Sequence, residues 1–126
     1  MKSTRLTRIE GTFMGIKFQV KPVPMNVEEL DQQQRDMLMS WYEQNHPSLK
    51  EKLEQGADME DYTTEEIFAI SGWKKDVEFR AEYIKFLAES CMEFDRKVPE
   101  EFWAQDDLPY SVVREAWDFF TERRSA

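Results

Sequence analysis

The only histidine of the chain, His46, follows Glu43 at ExxH spacing, which puts a carboxylate and an imidazole on one helical face where they could ligate a metal. A di-metal carboxylate centre needs that pair twice with further inward glutamates, and an HExxH site needs two histidines. One histidine supplies neither, so no metal and no cofactor is expected. Cys91, the single cysteine, lies at helical spacing from Ile84 and Ala88. A thiol in such a stripe stays protonated and acts as a small hydrophobe. Glu78 with Glu82, and Glu89 with Glu93, pair at i,i+4, but nothing apolar surrounds them to raise a pKa towards neutrality, as a general acid requires. Asp58, Glu60 and Asp61 lack the glycine and terminal glutamate of a calcium loop, and no GxxxxGK[ST] or GxGxxG run offers a phosphate cradle. These absences predict a chain without enzymatic activity.

The elements that would position these residues are mostly helical. If Met14-Gly15 forms a two-residue turn, Phe13 meets Ile16, Gly11 meets Phe18 and Ile9 meets Val20 on one face. Thr12 with Lys17, Glu10 with Gln19 and Arg8 with Lys21 then share the polar face, and Pro22 and Pro24 end the strand. Asn26 with Glu29 reads as a capping box opening a helix over 27–44, with Val27, Leu30, Met37, Leu38 and Trp41 inward. Asn45-His46-Pro47 breaks it, and a short helix over 48–55 stops at Gly56. Thr63 with Glu66 repeats the capping signal, and Ser71-Gly72 marks a break. From Trp73 to Asp95 the pattern predicts one long helix with two apolar stripes: Val77, Ala81, Ile84, Ala88 and Cys91, then Phe79, Tyr83, Phe86, Ser90 and Phe94. Val98-Pro99 opens a turn carrying Phe102 and Trp103, and Leu108-Pro109 starts a last helix to about Arg124. The fold expected is mainly α, an N-terminal β-hairpin followed by a compact bundle of four to five helices in one domain over 1–126.

Charge divides the chain. Residues 1–22 hold five Lys/Arg and one acid, for +4, which leaves −13 of the net −9 on residues 23–126. An acidic body repels phosphates, so direct nucleic-acid binding is not expected. Apolar runs fall far short of the roughly 20 residues of a membrane span, and one cysteine with no charged, apolar leader predicts a reducing, cytoplasmic setting. Nine Phe, four Tyr and four Trp predict an ordered fold and interface anchors. With Trp41 and Trp117 assigned to the core, Trp73, Tyr83, Phe86, Phe102 and Trp103 are the candidate partner surface. The alternative surface is acidic: Glu54, Asp58, Glu60, Asp61, Glu65 and Glu66, with Asp106 and Asp107. It would suit an inhibitor that imitates nucleic acid and blocks a basic nuclease or defence protein.

A basic hairpin ending Phe18-Gln19-Val20-Lys21-Pro22, a capped helix opening Val27-Glu28-Glu29-Leu30, a solitary Gly72-Trp73 and an acidic helical half ending with Leu108-Pro109-Tyr110 form a suggestive order. It resembles the small tail assembly chaperones of long-tailed bacteriophages. The resemblance implies a helical, non-enzymatic factor of the host cytoplasm whose partners are tape-measure or tail-tube proteins. Its mechanism would be reversible masking of apolar stripes by aromatic anchors, with the acidic coat keeping the complex soluble. Self-association is left open.

Overall fold

The computed structural model describes residues 9–22 and 26–122. The fold is mainly α with an N-terminal hairpin. Strands β1 (Glu10–Phe13) and β2 (Ile16–Val20) pair in the register expected from alternation, Glu10 with Gln19 through to Phe13 with Ile16. Met14 and Gly15 both have positive φ, 51° and 84°, as a type I′ hairpin turn requires. Across the ladder a Cβ on Gly11 would stand 3.0 Å from the ring of Phe18, so the absent side chain makes room for that ring. Val20 N–H donates to Ile9 C=O, extending the pairing; the expected Arg8 and Lys21 pair, and Pro24, lie outside the described residues.

Helix α1 (Val27–Asn45) begins where expected, but the Asn26 side chain makes no capping hydrogen bond, which corrects the first capping box. Its inward stripe keeps Val27 and Trp41 buried and Leu30, Met37 and Leu38 half-buried. Gln34 lies on that stripe and is buried as well. Helix α2 (Pro47–Gln55) has Pro47 in its first turn and ends at Gly56 in the left-handed region. A 3₁₀ turn (Met59–Asp61) leads to α3 (Thr64–Ala69), whose capping box is complete: Glu66 N–H donates to Thr63 Oγ1 at 3.1 Å and Thr63 N–H to Glu66 Oε1 at 2.9 Å.

The long helix expected over 73–95 is three elements. Gly72–Lys75 is a 3₁₀ turn, α4 runs Val77–Cys91, and Met92–Phe94 is a strand, β3. Asp76 starts α4 by accepting from Phe79 N–H, which resets the helix after Trp73. β3 pairs antiparallel with β2, Phe18 with Phe94 and Val20 with Met92, giving a three-stranded sheet in the order β1-β2-β3. Alternation of buried Met92, exposed Glu93 and half-buried Phe94 fits a strand as well as a helix end, and the open edge of β2 decides it. After the 3₁₀ turn Glu100–Ala104, α5 (Tyr110–Glu122) buries Val113, Ala116, Trp117 and Phe120; the expected end at Arg124 is outside the described residues.

α4 is the centre. α1, α5, β3 and the flanking 3₁₀ turns all pack on it, and the hairpin shares the same hydrophobic core. Two aromatic groups lie within this core. Trp73 lies 4.8 Å from Tyr83 and 5.3 Å from Tyr110, centroid to centroid, while Phe13 stacks on Trp103 at 5.4 Å and meets Phe94 at 5.8 Å. Inside the first group the fully buried Tyr83 hydroxyl donates to Gln34 Oε1 at 2.7 Å. Removing that donor alone leaves a buried acceptor unsatisfied, so Tyr83→Phe is expected to cost about 1–3 kcal/mol in urea unfolding. Adding Gln34→Leu, which removes both partners, should recover part of the loss; two additive losses would contradict this account.

Candidate functional site

The aromatic residues expected at a partner surface are mostly inside. Trp73, Tyr83 and Trp103 are 5 %, 0 % and 3 % exposed. Phe86 and Phe102 are half-buried against the same core. A partner cannot reach Trp73, Tyr83 or Trp103 without opening the fold, so these three are corrected to core positions. The second stripe of α4 meets α1, the 3₁₀ turns and α5 of its own chain.

Cys91 and His46, each the single residue of its type, are both packed against the fold. Cys91 is fully buried, and burial pushes its thiol up to about 12, with Lys21 opposing the shift. His46 packs its ring 5.5 Å from that of Trp41. A shallow depression of about 220 Å³ brings His46 together with Ser48, Thr63, Glu65 and Glu66, and Ser48 Oγ donates to Glu66 Oε2 at 2.6 Å. That pairing could suggest an activated serine. The carboxylate argues otherwise: hydrogen bonds from Lys52, Ser48 and the Thr63 amide hold Glu66 down to about 2, too weak a base to take a hydroxyl proton. Among the described residues no group of three or more His, Cys, Asp or Glu side chains is placed to hold a metal ion.

What the fold does expose lies elsewhere. Among the described residues the large hydrophobic side chains most open to solvent are Phe68 (73 %), Met59 (64 %), Val77 (45 %) and Ile67 (43 %). Met59, Ile67 and Phe68 belong to one corner, built by α3 and the 3₁₀ turn before it. Lys52 of α2 fastens it: the ammonium donates to Asp61 C=O and to Glu66 Oε1, each at 2.7 Å, and sits 5.9 Å from the centre of the Tyr62 ring. α3 then turns Glu66 and Ala69 inward and leaves Thr64, Glu65, Ile67 and Phe68 outward.

The acidic residues divide by position. Asp58, Glu60, Asp61 and Glu65 are exposed around the corner, and no Lys or Arg occurs between Lys52 and Lys74 to offset them. Glu54 is exposed but paired with Lys50 at 3.1 Å. Glu66 is buried and committed to the internal network, so it leaves the proposed acidic face. Asp106 and Asp107 are exposed ahead of α5, where Asp106 lies 3.4 Å from Arg80. The exposed pair Ile67-Phe68 was missed in the sequence, although the signal was there: with Glu66 turned inward as a helix cap, the short α3 cannot bury both residues that follow it.

No protein-family model, curated protein or solved structure matches the chain. Among the described residues no helix is long and apolar enough to cross a membrane.

The Glu66 network makes the corner acid-sensitive. A carboxyl depressed in the folded state adds stability that is complete above its unfolded pKa and is lost as pH falls towards the folded one. Between about pH 4.5 and pH 2 the urea midpoint of the native chain should therefore fall more steeply than that of Glu66→Gln, with the gap between them widest at neutral pH. Parallel pH profiles would show that Glu66 is not held as described.

Proposed function

We propose that the chain is a non-enzymatic protein-binding factor that covers apolar surface on a partner, and that it binds through the corner of Met59, Ile67 and Phe68 rather than through the aromatic stripe of α4. One observation carries this reading: Phe68 stands 73 % exposed on a helix whose neighbouring turn is anchored by Lys52, so an apolar ring is held in water on a fixed support. Exposed apolar clusters rimmed by polar groups are characteristic of association surfaces. The role is of the kind that a tail assembly chaperone has, and under that reading the partner is a tape-measure or tail-tube protein. Cys91 and Glu66, sealed and strongly shifted, support a non-catalytic assignment.

The second reading, an acidic decoy for a basic nuclease or defence protein, is favoured by the cation-free stretch with Asp58, Glu60, Asp61 and Glu65 exposed. Its acids are interrupted by apolar side chains, and Asp106 and Asp107 sit on a different element. Affinity capture from a lysate of the native host, identified by mass, separates the two. Under the masking reading the captured protein is weakened but retained on a rise to about 0.5 M salt, where charge attraction is screened within a few ångströms and apolar contact persists. It is lost with Ile67→Ser/Phe68→Ser, by about 2 kcal/mol or more if either residue is a hot spot. A partner released by salt and indifferent to those substitutions would favour the decoy instead.

A further inference from the structure

The corner offers few ways to be recognised. Its backbone is committed to α3 and the 3₁₀ turn, so it presents no strand edge to which an extended peptide could add. It has no groove walled by aromatic rings of the kind that receives a polyproline segment, since Tyr62 is half-buried beneath Lys52 and Phe68 projects outward. A helical face with apolar anchors remains, and α3 is about 9 Å long, matching roughly two turns of a crossing helix.

Charge specifies the rest. Asp58, Glu60, Asp61 and Glu65 are exposed beside the apolar side chains in sequence, residues 53–73 contain no Lys or Arg, and Lys52 points into the fold towards Glu66 and the Asp61 carbonyl. A partner that covers Phe68 and Ile67 is matched to this charge when it carries cations beside its apolar residues. We propose that this corner docks an amphipathic helix of a partner protein, with an apolar stripe flanked by Lys or Arg. The inference rests on the protein-binding reading above and adds the chemistry of the partner. Pre-organisation favours it as well: the capping box and the Lys52 clasp order the surface during folding, so little conformational freedom remains to be lost on binding.

The probe is a fluorescein-labelled peptide of about 18 residues, long enough for roughly five helical turns, made of Leu and Lys with the leucines on one helical face. Its controls are a scrambled peptide of equal composition and an amphipathic Leu/Glu peptide. Fluorescence anisotropy should show the Leu/Lys helix binding at least tenfold tighter than either control. Ile67→Ser/Phe68→Ser should weaken it at least tenfold, and so should Glu60→Gln/Asp61→Asn/Glu65→Gln, while Val77→Ser on α4 should not. All these side chains are exposed, and circular dichroism checks that the variants fold. Equal binding of the scrambled peptide, or indifference to Ile67 and Phe68, overturns the proposal. If the Leu/Lys helix fails to bind while capture of the native partner still depends on Phe68, the partner chemistry is wrong and the protein-binding reading stands. If neither depends on Ile67 or Phe68, both fall.

Discussion

Water can wet only a narrow strip of the helix Val77–Cys91, and the remaining sides must be covered by the chain itself. Glu78, Glu82 and Glu89 face solvent; Tyr83, Ile84, Leu87, Ala88 and Cys91 have almost no exposure, and Phe79, Ala81 and Phe86 are partly covered. Each surrounding element closes one side. α1 brings Trp41 and Gln34, α5 brings Val113 and Trp117, and the 3₁₀ turn after the sheet brings Trp103. An element that came away would uncover apolar area on α4 as well as its own, which couples the layers in one cooperative core.

Polar groups decide how those layers meet. The Asp76 carboxylate accepts from the Trp41 indole at 2.8 Å and from the Phe79 amide at 3.3 Å, so one side chain starts α4 and fixes α1 against it. These bonds hold its carboxyl below the ordinary range. Arg80, one turn on, reaches the carbonyls of Lys74, Ala104 and Gln105, linking the turns before α4 and before α5. The Tyr42 hydroxyl donates to Ile70 C=O and ties the end of α3 to α1. Much of the polar inventory near the core therefore positions elements.

Local signals were legible in the sequence. The hairpin register followed from alternation about a glycine turn, the α3 capping box from Thr63 and Glu66, and the ends of α2 from Pro47 and Gly56. The failures came where a distant partner overrode a local pattern. Met92–Phe94 continued a helical stripe but found the open edge of β2, and the twofold stripe of α4 marked a helix whose Tyr83, Ile84, Leu87, Ala88 and Cys91 are buried in its own fold. Asn26 had the right type and spacing for a cap, yet its side chain takes no part. Of the expected contact residues, Trp73, Tyr83 and Trp103 were core, while Phe86 and Phe102 were half-buried against it. The acids around α3 were placed correctly on the surface except Glu66, which Lys52 and Ser48 draw inward.

The direct passage from α4 into β3, Cys91 to Met92 without a loop, bears on the order in which the chain can be completed. During synthesis the hairpin leaves the ribosome before the helices, and the free edge of β2 is paired by a strand encoded beyond α1, α2, α3 and α4. Until then it shows unpaired amides and the side chains of Phe18 and Val20, the kind of edge on which nascent chains associate wrongly. Contacts so distant in sequence slow folding relative to the helical pairs. Because β3 follows Cys91 without a loop, the pairing of this strand with β2 and the placement of the central helix are geometrically tied to one another.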